Sequence, residues 1–267
     1  KKLLITIGSQ SPNYLNRINN MLTGLYLRRG ESLLQQKRSS EAISTFQKVL
    51  LFDASNIEAH KGRIRGLNLR GESLITADNY RAKALETPNE APAVFLHAFA
   101  LTFTLTGEES SSARREILDD VIDILLRAEL LRPNLMQIHQ TLGWAYFQLS
   151  KVTQLERGSP SIYQKFISRW RIVENFFSSK IDNEAELAIR SMLKSFHLSR
   201  PNSIGRTNSI QNLAFTFYDM GNFQKALSFY VKRLAKVELN SFSSLKIEAI
   251  NWRNAGRSAF QVDELEL

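Results

Sequence analysis

The residues suited to chemistry are few. His60, His97, His139 and His197 are the natural metal ligands and general bases. No two of them stand at a ligand spacing such as i, i+4. Glu108-Glu109 and Asp119-Asp120-Asp123 gather carboxylates that could hold a cation or move a proton. The first pair lies in a polar turn and the second group on a helical stretch, where a solvated surface is the ordinary state of such groups. Gly62, Gly66 and Gly71 fall within helical periodicity, not in the strand–loop–helix setting that cradles a phosphate. There is no Gly-x-Ser-x-Gly elbow, and no serine stands beside a persuasive base. Without any cysteine, disulfides, thiolate-bound zinc and thiol catalysis are excluded. The expectation is a chain that is not an enzyme and carries no metal or cofactor.

The elements that would position any site follow from composition. The chain has 267 residues, 43% hydrophobic and 23% charged, with 16 Phe, 7 Tyr and 3 Trp. That supports a sizeable core and argues against disorder. Net charge is +9, spread along the chain without a run of five cations, as on solvated helix faces. The excess also suits acidic proteins, nucleic acid or anionic headgroups. No apolar run reaches ~18 residues, so no membrane span is expected. The opening Lys1-Lys2-Leu3-Leu4-Ile5-Thr6-Ile7 resembles a signal peptide only in its first residues, because Gly8 to Pro12 ends the run. The sequence reads as a piece of a longer protein. The lack of cysteine leans toward a compartment outside the reducing cytoplasm.

Prolines reveal the periodicity. Pro88, Pro133 and Pro201 each follow an apolar-periodic run and mark helix ends, and Ala54 takes the same place earlier. Ala54 to Pro88 spans 34 residues, Pro88 to Pro133 spans 45, and Pro133 to Pro201 spans 68, twice the first interval. A 34-residue period is that of the tetratricopeptide helix–turn–helix repeat.

Side-chain identities agree. The family pattern is Trp-x2-Leu-Gly-x2-Tyr on a first helix, Ala-x3-Phe on a second, and a closing Pro. Gly30, Ala42 and Phe46 fit it in the first unit. In the second, His60, Leu67, Gly71 and Tyr80 fit, but Arg63 and Ile64 do not. The third keeps Ala98, Leu101 and Pro133. Leu142-Gly143-Trp144-Ala145-Tyr146, with His139 in the tryptophan place, marks the fourth; Leu213-Ala214, Phe217, Gly221, Ala226 and Tyr230 the fifth; Trp252, Ala255, Gly256 and Ala259 the sixth. The chain thus resembles the tetratricopeptide repeat (TPR-like) family over residues 22–267. The resemblance implies an all-α, right-handed α-solenoid. Paired helices would approach where Gly30, Ala98, Gly143, Ala214 and Gly256 are small, with Phe46 or Tyr230 filling the space beside them. One pair cannot bury its apolar face alone, so neighbours stack. Residues 1–21 are expected to be a cap or linker, with insertions near 107–117 and 151–182. Ser159 and Pro160 are a fitting start for a helix over 160–178. That stretch is either an inserted helix or a further pair with a decayed motif, and it could itself fill the concave face.

In such arrays the fifth, ninth and twelfth residues of each first helix line the concave face. Counting the small residue as eighth gives Lys61, Arg65 and Asn68; Phe95, Phe99 and Thr102; Gln140, Trp144 and Phe147; Gln211, Phe215 and Tyr218; and Arg253, Arg257 and Phe260. The resemblance therefore implies a scaffold that holds a partner peptide or helix in an aromatic trough, with an acidic end of the partner near Lys61 and Arg65. Aromatic and Arg side chains are those that dominate binding energy at interfaces. Some family members clamp a C-terminal carboxylate with Lys and Asn; Lys61 fits one clamp position, whereas Arg65 stands where Asn is expected. Two other readings stay open: a nucleic-acid-binding helical repeat, and the regulatory or targeting array of a longer enzyme.

Overall fold

A computed structural model describes residues 12–107, 109–156, 183–201, 203–234 and 253–259. Every regular element among them is helical. These are α1 (Pro12–Gln35), α2 (Ser39–Phe52), α3 (Ile57–Asn68), α4 (Ser73–Glu86), α5 (Ala91–Leu101) with a 3-10 turn at Thr102–Thr104, α6 (Ser111–Leu131), α7 (Met136–Glu156), α8 (Asn183–Leu198), α9 (Ile204–Asp219) and α10 (Phe223–Leu234). Residues 253–259 are also helical. The chain divides into two compact units, Lys1–Thr106 and Gly107–Leu267.

Three of the turns within helix pairs share one solution. Gly71 and Gly221 adopt left-handed backbone, φ 78° and 74°. Each donates its N–H to the carbonyl three residues back, and the next residue donates five back: Gly71 to Asn68 and Glu72 to Leu67, then Gly221 to Tyr218 and Asn222 to Phe217. This double closure satisfies the last carbonyls of the helix. Lys37, 34 residues before Gly71, adopts the same backbone (φ 58°) and the same two bonds, Lys37 to Leu34 and Arg38 to Leu33. Some helix starts are capped by side chains, whereas α2, α4 and α5 have no side-chain cap bond. The Asn56 side chain accepts the Ala59 N–H, Ser110 that of Ala113, and Ser203 that of Arg206.

In the first unit one core cluster is Leu33, Ala42, Phe46, Val49, Leu50 and Ala59. Phe46 of α2 is fully buried. A Cβ on Gly30 of α1 would stand 2.6 Å from two of its ring atoms, and a Cβ on Gly62 of α3 would overlap the ring as well. The ring therefore sits between two glycines on successive first helices.

In the second unit α7 packs on α6 and α8, and α9 on α8 and α10. A Cβ on Gly143 would lie 3.2 Å from the Ala188 carbonyl oxygen and 2.5 Å from Met192 Cγ. Ala188 and Met192 are buried and four residues apart, so they take the Ala-x3-Phe place with methionine as the large residue. Helices α7 and α8 thus form one pair, although the interval from Pro133 to Pro201 is two periods long. The expected helix over 160–178 lies outside the described residues. A second core gathers Met192, Leu213, Ala214, Phe217, Ala226, Tyr230 and Ala255.

Two details add to the expected organisation, and one expectation changes. Helix α1 begins at Pro12, well before residue 22, with proline in the first turn, where its missing N–H has no intrahelical partner to lose. The extra length near 107–117 is largely helix. After the turn at Gly107, α6 runs for 21 residues where α2 and α4 have 14. Gly256 is exposed, and a Cβ there would meet nothing within 4 Å. The buried small residue of that turn is Ala255, and residues 260–267 lie outside the described residues.

Candidate functional site

In the first unit α1, α3 and α5 lie side by side. Their equivalent residues, 34 apart, are Glu31, Arg65 and Phe99. Arg65 grips Glu31 with both terminal nitrogens, one at 2.9 Å from Oε2. Lys61 Nζ lies 3.1 Å from both Glu58 oxygens and 5.6 Å above the Phe99 ring. Phe99 stacks on Phe95 (centroids 5.9 Å) and meets Phe103 edge-on at 5.2 Å. Asn68 Oδ1 accepts from the Ser73 hydroxyl at 2.6 Å, and the Thr102 hydroxyl donates to the Phe99 carbonyl at 2.7 Å.

These contacts correct part of the sequence reading. Phe95 does not line a face; it is fully buried. Helix α5, APAVFLHAFAL, is apolar nearly all round, and such a helix is enclosed rather than half exposed. Lys61 and Arg65 are not free cations waiting for an acidic partner, since each holds a carboxylate of its own chain. Glu31 had escaped notice, yet its 34-residue offset from Arg65 was the signal that could have found it.

In the second unit α7 and α9 are neighbours. Phe147, Phe215 and Tyr218 pack, partly exposed, against the core around Leu213 and Phe217. Phe215 meets Tyr230 edge-on at 5.8 Å, and Tyr218 meets Phe223 at 5.5 Å. Lys151 Nζ sits 4.3 Å above the Phe147 ring and 2.8 Å from Asp219 Oδ2, tying α7 to α9. Gln140, Trp144 and Gln211 are partly exposed, and Arg253 and Arg257 are exposed. Phe260 lies outside the described residues. Lys151 and Asp219 fall later in their helices than the three positions counted, so the sequence pattern does not reach them.

The residues considered for chemistry are occupied otherwise. His60 Nε2 donates to the Ala54 carbonyl at 2.9 Å, and His139 Nε2 to that of Pro133 at 2.6 Å. Burial lowers the pKa of both rings. Asp119, Asp120 and Asp123 are exposed, and Glu108 lies outside the described residues. Among the described residues no cluster of His, Cys, Asp or Glu is arranged to hold a metal ion. None of the described helices is long and apolar enough to cross a membrane.

No protein-family model matches the sequence, and no curated protein matches it. Solved structures do. A thermophilic TPR protein from Thermus thermophilus is 17% identical, with a TM-score of 0.57 over 90% of this chain and 98% of that one. PilF of Pseudomonas aeruginosa is 16% identical, covering 92% of this chain and 93% of its own, with a TM-score of 0.42. At such identities a likeness speaks for fold alone, and of these two only the first match is close enough to carry weight. Together with the helix pairs nested at Gly30, Gly62 and Gly143, it shows that the chain has the all-α, tetratricopeptide-type fold.

Proposed function

We propose that this chain is a non-enzymatic protein-interaction scaffold, and that it binds a peptide or helix through the faces of its first helices. The observation that carries the reading is the set of rings left partly exposed there: Phe99 in one unit, and Trp144, Phe147, Phe215 and Tyr218 in the other. Phe99, Phe147, Phe215 and Tyr218 are backed by packed residues, so their positions are fixed before binding. Pre-positioned rings lose little conformational freedom on association, and such residues dominate interface energies. Lysines lie over two of them, Lys61 over Phe99 and Lys151 over Phe147. A partner offering apolar side chains would cover the rings, and the lysine stems beside them would extend the contact. Gln140 and Gln211 supply hydrogen-bonding groups for an extended backbone.

Nucleic acid draws less support. Lys61, Arg65 and Lys151 are paired with Glu58, Glu31 and Asp219, so phosphates would meet neutralised cations. The test is a display screen of extended and helical peptides against this chain, followed by affinities for Phe147→Ala and Phe215→Ala variants. A selected peptide should lose at least about 2 kcal/mol of binding, roughly 30-fold, in each variant. Equal affinities for the variants and the parent would move the interface elsewhere.

A further inference from the structure

The joint between α2 and α3 is built around His60. The Asp53 carboxylate accepts from the Ser55 N–H at 3.1 Å, the Ser55 hydroxyl at 2.7 Å and Asn56 Nδ2 at 3.1 Å. Asn56 in turn caps α3. Four residues into the helix, His60 closes back onto the turn. Its Nε2 meets the Ala54 carbonyl, and its Nδ1 lies 2.8 Å from the Tyr80 hydroxyl of α4.

The direction of this chain is forced. A carbonyl only accepts, so Nε2 carries a proton. Nδ1 of the neutral ring then accepts, and Tyr80 donates to it. The Arg63 guanidinium faces the same phenol oxygen and can only donate. Burial pushes the Tyr80 pKa up to about 12, so the phenol keeps its proton. Arg63, Tyr80, His60 and Ala54 therefore match donor to acceptor at every step when the ring is neutral. A second proton on His60 makes Nδ1 a donor, so the Tyr80 O–H loses its acceptor and must turn away.

We propose that His60 is an acid-sensitive latch: protonation of its Nδ1 unfastens the α2–α3 joint and the start of the helix that carries Lys61 and Arg65. The surrounding charges agree. Lys83 on α4 and Arg63 on α3 oppose an imidazolium, as burial does most of all, while the Ala54 carbonyl and Asp53 favour it, and the net effect holds the ring below its ordinary value of 6.5. A group depressed in this way leaves stability intact above about pH 6.5 and removes it as pH falls toward the folded value. Asp53, held below its ordinary 3.8 by its bonds to Ser55 and Asn56, acts in a separate and lower window. His139 is an internal contrast. Its Nδ1 looks toward Glu129 at 3.8 Å, a carboxylate also held by Lys194 at 2.7 Å, so a second proton there finds an acceptor.

The test is an imidazole titration by nuclear magnetic resonance on the whole chain, with amide exchange at residues 57–61. The wild type should show His60 as the Nε2–H tautomer with a pKa below 6.5. Tyr80→Phe should raise that pKa, because Nδ1 loses its donor. Protection of residues 57–61 should fall as pH drops below about 6.5 in the wild type but not in His60→Gln, whose amide can still donate to Ala54 and does not titrate. An Nδ1–H tautomer, a His60 pKa of 6.5 or above, an unmoved pKa in Tyr80→Phe, or the same acid response in His60→Gln would overturn the proposal.

Discussion

Replacing Gly30 by alanine should destabilise the first unit, and changing Phe46 should reverse the sign. In an ordinary helix interior, Gly→Ala stabilises by about 1 kcal/mol. At Gly30 the new Cβ would stand 2.6, 2.6 and 2.9 Å from three Phe46 ring atoms. The ring is fully buried and cannot retreat, because Gly62 lies against it on α3. Overpacking of this kind costs about 1–3 kcal/mol, and the upper half applies where the neighbour has no exit. The net loss is therefore about 1–2 kcal/mol. In a Phe46→Leu background, itself less stable by about 1–2 kcal/mol, the clash is gone. Gly30→Ala should then be neutral or stabilising by up to about 1 kcal/mol. A double-mutant cycle read from urea midpoints should give a coupling of about 2 kcal/mol. Equal destabilisation in both backgrounds would show that Gly30 is not small on account of the ring.

Gly143→Ala should cost about 1–2 kcal/mol, since the Ala188 carbonyl 3.2 Å away is backbone and cannot swing aside, while Gly256→Ala should be neutral or mildly stabilising; the two urea midpoints should move apart. Lys37→Gly should stabilise by about 0.5–1 kcal/mol by relieving a left-handed lysine, measurable as a rise in Tm. Asp53→Asn should lower stability near neutral pH and flatten the stability–pH curve below about pH 4, because the wild-type carboxylate contributes above its ordinary pKa and loses that contribution as pH falls through the depressed one. Lys151→Ala should leave overall stability within about 1 kcal/mol, as expected of a half-exposed ion pair, while any peptide selected on the α7–α9 face changes affinity.

Much of the fold was legible because the demands of close helix approach are local. Gly30 with Phe46, Gly143 and the turn glycines Gly71 and Gly221 each announce a contact or a backbone conformation that few other residues permit. Methionine hid the second helix of the α7–α8 pair. Met192 fills the aromatic place with a flexible chain, so Ala188-x3-Met192 carried no recognisable motif, and a doubled interval suggested extra repeats. Lys37 concealed its turn in the same way. The face residues were legible as positions and not as states. Spacing set Lys61, Arg65 and Phe95 in register, but only tertiary packing revealed that Glu31 and Glu58 engage the cations and that α5 is enclosed. Long-range ion pairs leave no periodic trace unless both partners happen to share the repeat.

Helices α7 and α8 nest although 26 residues separate Glu156 from Asn183, where α1 and α2 are joined by three. The nesting at Gly143 is therefore specified by the two helix faces themselves, and the length of chain between them does not set it. A pair held by its faces asks less of its connection than a pair closed by a three-residue bend, because the entropy of loop closure grows only with the logarithm of length.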